Sequence, residues 1–151
     1  MRPWGEVLKT ARYAVVAAVL IAVSAGLAHL HVVSQTYHPV VQLSSPDGLV
    51  YTAVQDPKHE RQACGAANDR FLAPVKKDCA QCRVVVARCE RELGGLELAV
   101  YERRRIAHHV VSGPGVRLAI AGPEASARAS CEQIAARMVR SGLPAVCAHP
   151  A

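Results

Sequence analysis

The sequence is poor in aromatic residues, which make up 4% of its 151 positions and include one Trp and one Phe. Ala and Val supply most of its apolar character, so it predicts a compact core of small side chains and argues against a broad aromatic platform for ligands. It also lacks Gly-x-Ser-x-Gly, His-Glu-x-x-His, a Walker loop and Gly-x-Gly-x-x-Gly. No residue stands out as catalytic, so we predict that the protein is not an enzyme and has no cofactor and no metal.

Charged residues are missing from Tyr13–Val33, where 21 consecutive positions contain no Asp, Glu, Lys or Arg. At about 1.5 Å per residue, a helix of this length just crosses a hydrocarbon core of roughly 30 Å. Arg2, Lys9 and Arg12 precede the stretch, whereas the next cation after it is Lys58. The positive-inside rule therefore predicts a single-pass inner-membrane protein with its C-terminal domain in the periplasm.

A cleaved signal peptide is the alternative interpretation of this segment. Val23-Ser24-Ala25 and Gly26-Leu27-Ala28 follow the apolar run, and a signal peptidase accepts small residues of this kind. Both interpretations export the domain. The predicted organisation is a cytoplasmic basic tail over 1–12, a transmembrane helix or signal-anchor over 13–33, a polar linker over 34–48 and a periplasmic domain over 49–151.

Six cysteines all follow the apolar segment: Cys64, Cys79, Cys82, Cys89, Cys131 and Cys147. An even number in a small exported domain predicts a disulfide framework, although six cysteines permit 15 pairings. The Cys79-x-x-Cys82 motif is followed by Arg83 rather than His, which excludes haem attachment. Two alternatives stay open for this motif, a zinc site with Cys89 and a thiol–disulfide redox site.

The order of predicted elements indicates an α+β domain. Amphipathic helices are expected after Asp56-Pro57, ending or kinking at Pro74, and from Ala127 to the Ser141-Gly142 stop. Between and around them, β-rich runs predict strands at 49–55, 83–89, 96–101, 106–111, 116–121 and 143–147.

Two strand–helix–strand halves align as an internal repeat, since VYTAVQDP (50–57) matches VRLAIAGP (116–123). Each half has a cysteine early in its helix and another at the end of its closing strand. If each closing strand runs parallel to the first strand of its half, those two cysteines come to the same edge of the sheet. We therefore predict Cys64–Cys89 and Cys131–Cys147, with Cys79–Cys82 as a local bridge.

Residues 116–147 resemble the sporulation-related repeat (SPOR) domain. The resemblance rests on Val116-Arg117, Gly122-Pro123, a helix through Ala129 and Ile134, and Ser141-Gly142-Leu143-Pro144-Ala145. It implies a ferredoxin-like βαββαβ fold of two βαβ units and a function in binding the glycan strands of peptidoglycan. The first half departs from that pattern, because its helical region is longer and contains Cys79-x-x-Cys82.

Arg103, Arg104, Arg105 and His108 form the densest polar cluster and are candidate contacts to an anionic partner. The alternative is a solvated strand edge guarded by charge. The net charge of +6 is modest and not concentrated in one block, which favours anionic partners without indicating nucleic acid. His108 and His109 should point to opposite faces of a strand. With His59 and His149 they form an alternative pH-sensitive or metal-binding set.

Taken together, these features predict a membrane-anchored periplasmic binding or assembly module of the cell envelope. Its expected partner is peptidoglycan glycan or a membrane protein. The alternatives are a periplasmic thiol–disulfide oxidoreductase using Cys79 and Cys82, and a cleaved, secreted small binding protein.

Overall fold

The computed structural model describes residues 17–24 and 36–150, and the chain divides into two units, Met1–Gln35 and Thr36–Ala151. In the first unit, residues 17–24 are helical. The predicted tail over 1–12 and most of the predicted span over 13–33 lie outside the described residues. Among the residues that are described, no helix has both the length and the apolar character needed to cross a membrane.

The second unit is an α+β domain, which confirms the predicted class, but its two halves have the order strand–strand–helix–strand instead of the βαββαβ order that the resemblance implies. Its described part contains three helices and one six-stranded sheet in the order β3-β1-β2-β5-β4-β6, in which every neighbouring pair is antiparallel. The elements in chain order are β1 (His38–Ser44), β2 (Val50–Gln55), α1 (Arg61–Asp78), β3 (Arg83–Glu90), α2 (Gly95–Tyr101), β4 (His109–Gly113), β5 (Val116–Ala121), α3 (Glu124–Arg140) and β6 (Val146–Ala148).

Strand β1 corrects the prediction that 34–48 is a linker. It lies between β2 and β3 inside the sheet, and its Val40, Val41 and Leu43 are buried. The polar residues and Pro39 of this segment are typical of a connector. Its three large aliphatic side chains nevertheless favour a position between two neighbouring strands, where they are buried.

Helix α2 corrects the strand predicted at 96–101. The LELAVY sequence is too short to distinguish the two-residue period of a strand from the 3.6-residue period of a helix. Its Leu, Glu and Ala residues favour a helix. One turn of helix brings Leu96 and Val100 to the same side. Val100 is buried against Val54 and Ala119, so this packing selects the helical conformation.

The first long helix differs from the prediction at both ends. Asp56-Pro57 does not start it, because Lys58 forms a bridge with Tyr37 that continues the β1–β2 pairing. Helix α1 therefore begins at Arg61. It continues through the exposed Pro74 to Asp78, where the N–H of Cys79 is bonded to the carbonyl oxygen of Val75.

The helices cover both faces of the sheet. Leu72 of α1 is buried against Val41, Leu43 and Ala53, and α2 covers the opposite face, where Val54 points. Helix α3 is buried against the sheet through Ala127, Cys131 and Ala135. Tyr51 packs in the clusters of both α1 and α3, so these two helices share one face.

The two halves of the domain are related by an approximate two-fold axis at the β2–β5 pair. Thr52 and its partner Ala119 are 67 positions apart in the chain, and Cys64 and Cys131 are separated by the same interval. The predicted match of 50–57 with 116–123 is therefore displaced by one position. That match would equate Tyr51 with Arg117, whose side chain is on the opposite face of the sheet, over the ring of Tyr101.

Three disulfides cross-link the domain: Cys64–Cys89, Cys79–Cys82 and Cys131–Cys147. These are the pairs that the repeat predicts. The closing strands β3 and β6 have the same direction as β2 and β5, the strands that precede the helices, with one antiparallel strand between them in each half. That arrangement brings the end of the closing strand back beside the helix, where Cys64 and Cys131 are completely buried.

Candidate functional site

The predicted arginine cluster lies on the wall of a concave surface of about 600 Å³, which we call the cationic cavity. Arg103, Arg104, Arg105 and His108 form one side of it. The opposite side comes from β4, β6 and the segment before β6, including Val110, Ser112, Pro144, Ala145 and Val146.

A tight turn at the end of α2 positions the three arginines. The N–H of Glu102 is bonded to the carbonyl oxygen of Leu98 at 2.9 Å, and that of Arg104 to Ala99 at 2.9 Å. Between them Arg103 adopts a left-handed conformation with φ 58°, a geometry common after helix ends. The cluster is therefore a helix-ending turn rather than the extended segment that we expected.

The charges of this turn are only partly compensated. All three arginines are exposed, and Arg104 forms an ion pair with Glu102. Within the described part of the chain, Glu102 is the only carboxylate within ion-pair distance of the three guanidinium groups. The wall therefore carries excess positive charge, and guanidinium groups hold carboxylates and phosphates with paired hydrogen bonds. Chemically, this arrangement suits an anionic ligand.

A pair of histidines, one buried and one exposed, lies beside the disulfide of the second half. His109 of β4 is only 1% exposed. Its Nε2 is 3.0 Å from Oε1 of Glu124, and its Nδ1 is 3.0 Å from Nδ1 of His149. Nε2 of His149 is 3.8 Å from Oε1 of Glu132. Each imidazole therefore has one nitrogen facing a carboxylate of α3 and the other facing its neighbour.

Sequence reasoning treated His109 and His149 as members of a loose set and missed the contact between them. His59, from the same set, is exposed in the segment before α1. The signal available in the sequence was the spacing of Cys147 and His149. Residues two apart on a strand point to the same side, so a disulfide at Cys147 directs His149 toward α3.

A second concave surface, of about 500 Å³, lies between α1 and α3. Most of its lining is apolar and comes from Tyr51, Phe71, Leu118, Ile134 and Met138 among others. The hydroxyl of Tyr51 is 3.0 Å from that of Ser130. At the rim, Nη1 of Arg137 donates to Oδ2 of Asp78 at 3.2 Å, which links the two helices.

The Cys79–Cys82 bridge borders this second surface at the end of α1. Cys79 is the C-terminal cap of α1, and Arg83 begins β3 directly after the motif. A helix C-terminus carries partial negative charge, which disfavours a thiolate, whereas redox-active Cys-x-x-Cys motifs place their reactive thiol at an N-terminus. The geometry around the bridge suits a structural cross-link.

No family model, no curated protein and no solved structure matches the chain. The cationic cavity and the histidine pair therefore have to be interpreted from their own chemistry.

Proposed function

We propose that the chain is a single-pass module of the bacterial cell envelope whose periplasmic domain binds an anionic component in the cationic cavity. The observation that carries the proposal is the placement of Arg103, Arg104 and Arg105 with His108 along one concave wall. The export part rests on the uncharged stretch 13–33 and the charge asymmetry around it. Six cysteines joined in three disulfides are compatible with an oxidising compartment.

The size of the cavity favours a chain-like ligand over a flat protein surface. Concave sites of about 300–1,000 Å³ typically hold small ligands or segments of that size. A stable protein interface usually buries about 800 Å² on each partner. Peptidoglycan carries carboxylates on its peptides, and also on the lactyl groups of glycan from which the peptides have been removed, so a glycan segment with these acids is our favoured ligand. The acidic face of a membrane protein is the other outcome of the test.

We propose binding rather than catalysis. The thiol–disulfide alternative would use Cys79 and Cys82, and the position of this pair after the end of α1 weighs against it. The resemblance of residues 116–147 to SPOR domains also favours a glycan ligand.

Binding to purified peptidoglycan tests the ligand. Replacing Arg103, Arg104 and Arg105 with Gln should weaken co-sedimentation of the detergent-solubilised chain by tenfold or more, because one charge-assisted hydrogen bond contributes about 1.5–3 kcal/mol. The matched control replaces three exposed arginines outside the cavity, Arg61, Arg70 and Arg83, with Gln. Added salt should weaken binding of the unmodified chain. Equal binding by the two triple variants would remove the cavity from the function.

Topology is tested separately. A reporter fused after Ala151 should be active only in the periplasm, and activity in the cytoplasm would contradict export. N-terminal sequencing of the mature protein then distinguishes the anchored form from the cleaved, secreted form.

A further inference from the structure

We propose that His109, His149, Cys131 and Cys147 form a latent zinc site. It cannot bind the ion while the two cysteines form a disulfide, and it binds the ion once that disulfide is reduced. His149 also lines the cationic cavity, but the inference does not depend on the anionic ligand proposed there. It follows from the contact between the buried His109 and the exposed His149.

The imidazole of His109 is oriented in the way that metal-binding histidines are. Ligating histidines usually donate their second ring N–H to a carboxylate, which sets the tautomer and leaves the other nitrogen free to bind. Nε2 of His109 is 3.0 Å from the carboxylate of Glu124. A proton held there leaves Nδ1 of His109 as a lone pair directed at Nδ1 of His149, 3.0 Å away. His149 faces a second carboxylate, Glu132, at 3.8 Å.

The two histidine nitrogens need only small movements to bind one tetrahedral ion, whereas the two sulfurs separate when their bond is cleaved. Two nitrogens at about 2.0–2.1 Å from Zn²⁺ lie about 3.3–3.4 Å from each other, so the two Nδ1 atoms need to separate by only a few tenths of an ångström. His149 is exposed and follows the three-residue strand β6, which gives it that freedom. Sγ of Cys147 is 3.9 Å from Nδ1 of His149.

The sulfurs complete the ligand set. The ligand atoms of His109, Cys131 and Cys147 all lie within 4.8 Å of one another. Joined as a disulfide, the two sulfurs are poor ligands. A dithiol reductant supplies two electrons and two protons, cleaves the bond between Cys131 and Cys147, and is itself oxidised to a disulfide. Zn²⁺ then displaces the two thiol protons and is held by two thiolates and two imidazoles, a common structural zinc set.

Replacing the disulfide by a zinc ion would preserve the attachment of β6 to the rest of the domain. Strand β6 has three residues and pairs only with β4 in the described sheet, and the Cys131–Cys147 bond ties it to α3. Opening the bond removes that tie. An ion between the same two cysteines and the histidine pair restores a link between β6, β4 and α3. The disulfide and the metal are thus alternative cross-links for oxidising and reducing conditions.

Co²⁺ is a suitable probe because thiolate coordination gives it a charge-transfer band. We would use the full chain in mild detergent with Cys79 and Cys82 both replaced by Ser, before and after reduction with a phosphine. The oxidised chain should show no such band. The reduced chain should bind one ion, with the band and the visible spectrum of a tetrahedral site, and Zn²⁺ should displace it.

Substitutions identify the ligands. His149→Gln should weaken binding by at least about tenfold, and Glu124→Gln, which acts through His109, by about 10–100-fold. His59→Gln, at an exposed histidine outside both concave surfaces, is the matched control and should leave affinity unchanged. If the reduced chain were unfolded, it would bind ions through its thiols, and replacing Glu124 would not change the affinity. Equal affinity of Glu124→Gln and the parent would therefore overturn the proposal. Binding by the oxidised chain as tight as by the reduced chain would overturn it as well.

Discussion

The ring of His38 is edge-on to the ring of Tyr101, with the two centroids 4.8 Å apart. Nδ1 of His38 is buried and has no hydrogen-bond partner among the described residues. Burial lowers the pKa of His38, and the nearby carboxylate of Asp56 partly opposes that effect. This contact joins β1 to α2 on the face of the sheet opposite α1 and α3.

The lowered pKa of His38 makes stability depend on pH. The unfolded chain, with an ordinary histidine pKa of about 6.5, binds more protons there than the folded chain does. The free energy of unfolding should therefore fall as pH drops through about 6.5, and this contribution should level off below the folded pKa. Urea unfolding at several pH values measures it. His38→Phe keeps a ring against Tyr101 and should reduce the loss on acidification, whereas His59→Gln should not. An identical pH dependence in His38→Phe would contradict the assignment.

The three disulfides should contribute unequally because they close loops of different length. Replacing both cysteines of the Cys131–Cys147 pair, which are 16 positions apart, with Ser should cost about 3 kcal/mol of unfolding free energy. The Cys79–Cys82 pair closes a loop of three and should cost about 2 kcal/mol or less. Chemical denaturation of the two double variants measures the difference, and a larger loss for the Cys79–Cys82 variant would contradict this account.

Gly122 should not tolerate a side chain. Its φ is +142°, and a Cβ at this position would lie 2.9 Å from the carbonyl oxygen of Gly48. Gly122→Ala should therefore lower the unfolding free energy by about 1–3 kcal/mol. Gly65 in α1 is the control, because a Cβ there meets no atom within 4 Å. Gly65→Ala should raise stability by about 0.5–1 kcal/mol, and thermal melts of both variants would show whether the signs are opposite.

Asn68 should be important for the packing of α1. It is buried, donates from Nδ2 to the carbonyl oxygen of Arg88 at 3.0 Å and accepts from Nε2 of Gln55 at 3.1 Å. Asn68→Ala leaves both partners without this bond and should cost about 1–3 kcal/mol. Asp69→Ala, on the exposed side of the same helix, should change stability by less than about 0.5 kcal/mol. Equal effects of the two substitutions would show that the Asn68 bonds contribute nothing measurable.

Much of the architecture was predictable from local patterns. Strands β2, β3 and β5 and helix α3 have runs of one clear period, so their type and approximate position follow from the sequence. Strand β1 and helix α2 do not. The first mixes polar and aliphatic residues and contains Pro39, and the second is seven residues long. In both, contacts with residues far away in the chain outweigh a weak local preference.

The candidate sites show the same division. The arginine cluster is contiguous, so its charge could be recognised directly, although the turn at Arg103 and the opposite wall of the cavity could not. The histidine pair joins positions 40 residues apart, and the spacing of Cys147 and His149 indicates only the side to which His149 points, not its contact with His109.

The sequence by itself determined the class of the domain and, through the repeated positions of the cysteines, the disulfide pairing. Both follow from periodicity and spacing, which are local properties of the chain. Only the tertiary structure decided the register between the halves, because a displacement of one residue exchanges the two faces of a strand and only burial distinguishes them. For the same reason it alone placed His109 on the buried face, where Glu124, His149 and the Cys131–Cys147 bond surround it.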